Sequence, residues 1–202
     1  MGLPAVLVIV FALTRWPGLM PLNFSAAYAL AFCAGVFFPR PLAWWLPLGA
    51  IILSDLALNL YYFFALHVDA FKATQVINYV AYALIIWLGT CFNSGTSLLK
   101  LIGAGVFGSF LFYLITNTGA WFFNPFRNPE YTKDLPGWLI ALTKGTAGYP
   151  ETWQFFRNTL LSGGIFTALF AGAVKWSERK SEWEAEHAEA QDKEESAEES
   201  KA

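Results

Sequence analysis

An apolar run from Pro41 to Phe64 contains one carboxylate, Asp55, and an amide one helical turn later, Asn59. The run is long enough to cross the hydrocarbon core of a bilayer, which takes about 20 residues of helix. A charge at the bilayer centre costs about 2.5–3.5 kcal/mol on insertion scales unless it is paired, neutralised or hydrated. The run therefore predicts a membrane protein whose polar side chains face an interior site.

The composition of the 202-residue chain supports this interpretation. Hydrophobic residues make up 56% and charged residues only 14%, whereas a soluble domain carries about 25% charged residues. Residues 177–202 hold ten acidic and four basic side chains, against five and nine in the first 176 residues. We predict an all-α, polytopic membrane helix bundle of about six transmembrane helices over residues 1–176. An acidic cytoplasmic tail, 177–202, should begin as helix and become disordered.

The apolar runs and the residues that interrupt them predict where the spans lie. A short or bent first span should begin in the run 3–13, although whether residues 3–14 form a full span stays open. The other spans are predicted at 24–38, 41–64, 71–92, 98–123 and 152–174. The polar connection 124–150 should lie at the interface as a cap. Because Lys and Arg favour the cytoplasmic side, Arg40, Lys100 and the basic cluster after the last span place the C-terminus in the cytoplasm.

Polar side chains recur inside these spans, and we predict that they converge on a pocket for a small molecule in the outward half of the bundle, under the cap. Asp55 and Asn59, and likewise Asn78 and Tyr82, have helical i, i+4 spacing, which puts both members of each pair on one face. The predicted substrate-binding residues are Asp55, Asn59, Asn78, Tyr82, Asn117, Trp121, Arg157 and Asn158.

Each of these residues also has a structural interpretation. Asp55 could bond to another span without any ligand, and Tyr82 could anchor the interface. Arg157, one turn into the last span, could extend to the headgroups or point inward at Asp55 or at an anionic substrate.

Small residues are spaced at helical intervals, and they predict close approach of helix backbones. Ala27, Ala31 and Gly35 share one face of the second span, and Ala104 and Gly108 share one face of the fifth. Two alternatives are open for these stripes: packing between helices of this chain, or docking against another membrane subunit.

Several kinds of chemistry are not indicated. The chain has no phosphate-binding G-x-x-x-x-G-K-[ST] loop and no H-E-x-x-H motif. Cys33 and Cys91 lack the spacing of a metal or redox pair. We therefore predict no catalytic residue, no metal ligand, no cofactor and no nucleic-acid partner. The expected contacts are membrane lipids and a small-molecule solute.

Five short motifs carry a resemblance to a known family: NFS at 23–25, FFPR at 37–40, LSD at 53–55, LITNTGAW at 114–121 and FRNT at 156–159. Over about residues 15–172 the chain resembles a family of small, uncharacterised bacterial inner-membrane proteins. These are described as similar to the S-components, the substrate-binding subunits, of energy-coupling-factor vitamin transporters.

The resemblance implies six helices, an outward-opening pocket, and a partner assembly of one coupling membrane subunit and two ATPases. The chain would then be a multi-pass protein of the bacterial inner membrane that binds a vitamin or vitamin-like precursor for uptake. S-components often dock through an AxxxA pattern on the first helix, whereas here Ala27 and Ala31 fall on the second span. The alternative is a non-transporting structural or accessory subunit of a membrane complex, in which the polar residues only hold helices together.

Overall fold

The computed structural model describes residues 2–68 and 70–199, and over these ranges the chain is helical without any strand. The helices are α1 (Gly2–Thr14), α2 (Ala27–Phe37), α3 (Arg40–Leu66), α4 (Val76–Gly89), α5 (Leu98–Phe123), α6 (Leu135–Thr143) and α7 (Thr152–Glu199). A 3-10 turn, Ala73–Gln75, leads into α4. The predicted all-helical class is confirmed.

Three helices are long and apolar enough to cross a membrane: Arg40–Leu66, Leu98–Phe123 and Thr152–Gln191 within α7. The other apolar helices α1, α2 and α4 have 13, 11 and 14 residues. At 1.5 Å per residue they measure about 17–21 Å, less than the roughly 30 Å of a hydrocarbon core. Helix length and composition therefore support a membrane protein, in which three helices are each long and apolar enough to span the hydrocarbon core.

The short helix α2 forms the centre of the molecule. Its residues from Ala27 to Gly35 are all buried, and it packs against α1, α3, α4, α5 and α7. Gly35 and Gly89 allow α2 and α4 to touch, since a Cβ on Gly35 would lie 2.2 Å from the carbonyl oxygen of Ile86. The predicted stripe of Ala27, Ala31 and Gly35 thus lies in the interior of this chain.

Small residues also bring α5 and α7 together. A Cβ on Gly105 would lie 2.3 Å from Oγ1 of Thr167, and a Cβ on Gly163 would lie 1.9 Å from Oγ of Ser109. The two predicted small residues of α5 lie elsewhere on that helix. Gly108 is buried against α4, and Ala104 is partly buried against the core.

The bundle has two ends, and the connections between helices determine which helix termini lie at each of them. The C-terminal ends of α1, α3 and α5 meet the N-terminal ends of α2, α4 and α7 at one end. At the other end, Nζ of Lys175 donates to the carbonyl oxygen of Ser94, at 2.6 Å. Asp55 lies in the half of α3 nearer the first end.

The tail differs from its prediction. Helix α7 continues without interruption to Glu199, where we expected disorder after a short helical stretch. Glu, Lys and Ala, which dominate this segment, are strong helix formers, and their helical propensity was underestimated. Residues 200–202 of the predicted tail lie outside the described residues.

Candidate ligand-binding cavity

A cavity of about 400 Å³ lies at the end of the bundle where α2 and α4 begin. Four of the eight predicted binding residues line it: Asp55, Asn59, Asn78 and Tyr82. Other polar or aromatic groups of its wall include Thr14, Arg15, Ser25, Tyr28, Tyr62, Gln75, Phe112 and Thr116. The cavity is of the size of small-molecule sites, which start near 300 Å³.

Asp55 makes an ion pair with Arg15, whose Nη2 donates to the carboxylate. The side chain of Asp55 is 8% exposed and that of Arg15 is 26% exposed. Nε of Arg15 is buried and has no hydrogen-bond partner among the described residues, a state that costs about 1–3 kcal/mol unless an acceptor or water satisfies it. The pair joins the end of α1 to the middle of α3 and places both charges at the cavity wall.

A second polar contact joins α3 to the turn before α4. Nδ2 of Asn59 donates to Oε1 of Gln75 at 3.0 Å. Asn78 lies one turn further along α4 and also lines the cavity. Amides offer both donors and acceptors, so this side of the wall can bind either kind of group on a ligand.

Aromatic rings form the inner wall. The rings of Tyr28 and Tyr82 are stacked with centroids 6.1 Å apart, and Phe112 packs against Tyr82 at 4.6 Å. All three side chains are buried. They give the cavity a rigid surface on which a flat or apolar part of a ligand can lie.

The segment 15–25 between α1 and α2 covers this cavity, a role that we predicted for the connection 124–150. Gly18 and Asn23 adopt positive φ, 79° and 60°, which lets the segment fold back over the cavity. At its end, the backbone N–H of Ala26 donates to Oγ1 of Thr14 at 3.1 Å. Asn158 of α7 donates from Nδ2 to the carbonyl oxygen of Leu22, at 2.9 Å. Asn158 therefore contacts the backbone of the cover.

Like Asn158, the other three predicted binding residues lie outside the lining of this cavity. Asn117 donates to the carbonyl oxygen of Tyr113 in its own helix, at 2.8 Å. Arg157 is exposed, with its guanidinium 5.8 Å from the ring centroid of Trp153. Of the two alternatives for Arg157, the geometry matches the peripheral one, because Arg15 and not Arg157 meets Asp55.

Trp121, the third, belongs to the attachment of the connection 124–150. Its Nε1 donates to the carbonyl oxygen of Thr132 at 2.7 Å, and Nζ of Lys133 lies 5.2 Å from its ring centroid. Two residues of the connection, Pro125 and Phe126, help to line a neighbouring cavity of about 270 Å³. That smaller cavity shares Gln75, Asn78 and Thr116 with the main one.

Helix α6 of this connection has a charged N-cap. Oδ1 of Asp134 accepts from the backbone N–H of Gly137 at 2.9 Å and from Oγ1 of Thr132 at 2.6 Å. The hydrogen bond from Thr132, which has the larger effect, and that from Gly137 both lower the pKa of the Asp134 carboxyl.

Sequence reasoning missed Arg15, Gln75 and Tyr28 as parts of the cavity wall. Arg15 directly follows an apolar helix and is the only Lys or Arg before Arg40. Its position could have suggested a partner for the lone carboxylate of the spans. Nothing in the sequence around Gln75 or Tyr28 distinguishes them from ordinary helix residues.

The wall of the cavity offers one compensated ion pair, several amides and hydroxyls, and aromatic surface. Within residues 2–68 and 70–199, no three His, Cys, Asp or Glu side chains come together in a way that could hold a metal ion.

Comparison with known proteins identifies the family of the chain. Residues 1–187 match the family of unknown function DUF6580. No curated protein and no solved structure matches the sequence. Because the match covers most of its length, the chain belongs to this family.

Proposed function

We propose that this DUF6580 protein is a membrane subunit that binds a small polar or amphipathic solute, vitamin-like in size, and takes part in its uptake. The observation that carries the proposal is the cavity of about 400 Å³, in which Asp55, Asn59, Asn78 and Tyr82 meet. A site that holds helices together has no need of such a space.

In this proposal the six apolar helices α1, α2, α3, α4, α5 and α7 form one bundle in the bacterial inner membrane. The distribution of basic residues supports an orientation. Arg40 and Lys100 begin α3 and α5, and Lys175 contacts the loop between α4 and α5, so these cations share one end. By the positive-inside rule this end and the C-terminus are cytoplasmic, and the cavity opens outward.

The energising partner rests on the motif resemblance alone. A coupling membrane subunit and two ATPases would supply the energy, since the chain carries no phosphate-binding loop of its own. The orientation of the cavity agrees with uptake, because a solute would bind from the outside.

A structural or accessory role is the second candidate. Its support is that Arg15 pairs directly with Asp55, and Asn59 with Gln75. Such contacts would hold α1, α3 and the start of α4 together in the absence of any ligand.

Thermal-shift screening of the purified protein against vitamins and their precursors separates the two roles. Uptake predicts that at least one solute stabilises the wild-type protein, because a ligand that binds only the folded state raises its stability. The shift should disappear in Asn78→Ala, whose side chain lines the cavity, and persist in Asn117→Ala, whose side chain bonds to its own helix. If no solute stabilises the protein, or if both variants respond equally, the accessory role is favoured.

A further inference from the structure

A second compartment adjoins the cavity on the side of α1 and α3. It is a groove of about 360 Å³ lined by Ala12, Arg15, Trp16, Pro17, Ser54, Ala57, Leu58 and Tyr61. Its surface is mainly apolar, and the one hydroxyl of Ser54 already donates to the carbonyl oxygen of Ile51, at 2.9 Å. Ala57 and Tyr61 lie on the exposed face of α3, so the groove opens sideways.

The groove and the cavity have a common wall. Arg15, Trp16, Pro17 and Leu58 line both. The guanidinium of Arg15 is held by Asp55 on the cavity side. A polar compartment and an apolar compartment therefore meet at the ion pair.

We propose that the solute is an amphiphile whose uncharged, hydrogen-bonding head occupies the cavity and whose hydrocarbon part leaves sideways through this groove. The inference deepens the proposed function and rests on it. The two compartments lie side by side and share four lining residues, and this adjacency assigns the groove to the same molecule that fills the cavity.

The charges in the wall select the head group. Arg15 and Asp55 neutralise each other, so a head with a net charge would find no counter-ion among the described residues of the cavity wall unless it separated this pair, which is costly. The polar side chains that remain for a ligand include the amides of Asn59, Gln75 and Asn78. They match a head such as a polyol or an amide, which both donates and accepts.

The test uses the full-length protein in lipid nanodiscs and two probes with the same head, 1-O-ethylglycerol and 1-O-hexylglycerol. Binding is measured by calorimetry, with empty nanodiscs as the reference for partition into lipid. Ala57→Trp fills the groove from a position that does not line the cavity. Ala65→Trp places the same side chain at an exposed position of α3 that does not line the groove, and it is the matched control.

We expect both probes to bind to the wild type. Ala57→Trp should weaken binding of the hexyl probe at least about tenfold. The tryptophan would occupy the space of the hexyl group, and this overpacking should cost about 1.4 kcal/mol or more of binding free energy. The same variant should leave binding of the ethyl probe unchanged, and Ala65→Trp should change neither. Equal thermal unfolding temperatures of the two variants would show that both fold.

Other results overturn the inference. If the hexyl probe binds Ala57→Trp as tightly as the wild type, the hexyl group does not occupy the groove, although the proposed function survives. If a phospholipid leaves the protein in Ala57→Trp without any change in hexyl binding, the groove belongs to a bilayer lipid. If neither probe binds to the wild type, the inference fails, and the vitamin screen decides the proposed function separately.

Discussion

The ion pair between Arg15 and Asp55 leads to an asymmetric prediction. Two unit charges about 4 Å apart attract by about 4 kcal/mol at an effective dielectric constant of 20. The carboxylate is the more deeply buried partner, at 8% exposure against 26%. Removing the arginine therefore strands a charge that water cannot reach easily, whereas removing the carboxylate leaves a cation that can partly hydrate.

We expect Arg15→Gln to lower the free energy of unfolding by about 3–5 kcal/mol, the range found when one partner of a buried pair is removed. Asp55→Asn should cost less, about 1–3 kcal/mol. The double variant should be more stable than Arg15→Gln alone, because it leaves no uncompensated charge. The coupling energy from the cycle should reach about 2 kcal/mol or more.

Equilibrium unfolding in mixed micelles with increasing dodecyl sulfate, followed by tryptophan fluorescence, measures these differences. Arg157→Gln is the control, since this exposed arginine lies over Trp153 and away from Asp55, and its change should stay within about 0.5 kcal/mol. The reasoning is refuted if the two single losses simply add in the double variant. A loss in Arg157→Gln as large as that in Arg15→Gln would refute it equally.

Two further predictions concern packing and pH. Gly35→Ala should cost about 1–3 kcal/mol or more in the same unfolding assay, because its Cβ meets the rigid backbone of Ile86. Gly49→Ala, which has open space around it, should instead gain a few tenths to about 1 kcal/mol from helix propensity. An equal response of the two glycines would contradict the close contact. The pKa of Asp134 is lowered by its hydrogen bonds, so its contribution to stability is complete above the unfolded value of about 3.9 and is lost as pH falls through the lower folded value. In an NMR titration, the chemical shift of the Gly137 amide should change with a pH midpoint below about 3.9. A midpoint at or above that value would show that the hydrogen bonds of the cap do not lower the pKa of Asp134.

Much of the helical arrangement follows from local signals in the sequence. The predicted span 98–123 has the same bounds as α5, and 41–64 lies within α3. Prolines around Arg40 and the polar turn after residue 92 interrupt the chain where helices end, and such breaks act locally. The fourth span was predicted too long, since a 3-10 turn and non-helical residues precede Val76.

The lining of the cavity was predictable where two polar residues share a helix face. Asp55 with Asn59, and Asn78 with Tyr82, have i, i+4 spacing and line the cavity together. Asn117 lies outside the cavity lining, and the carbonyl oxygen of Tyr113 in its own helix accepts a hydrogen bond from its amide. The partner of Asp55 was missed because it lies 40 residues away in the chain, and no local pattern encodes a tertiary contact of that kind.

The complete enclosure of α2 determines how this helix tolerates mutation. A helix with one face outward, such as α3, accepts substitutions at every third or fourth position, so its tolerance profile oscillates with the helical repeat. Around α2 no direction is open, since Ala27 to Gly35 are enclosed on every side. A saturation scan should show this stretch as one unbroken intolerant block, and natural variants of the family should differ there least of all.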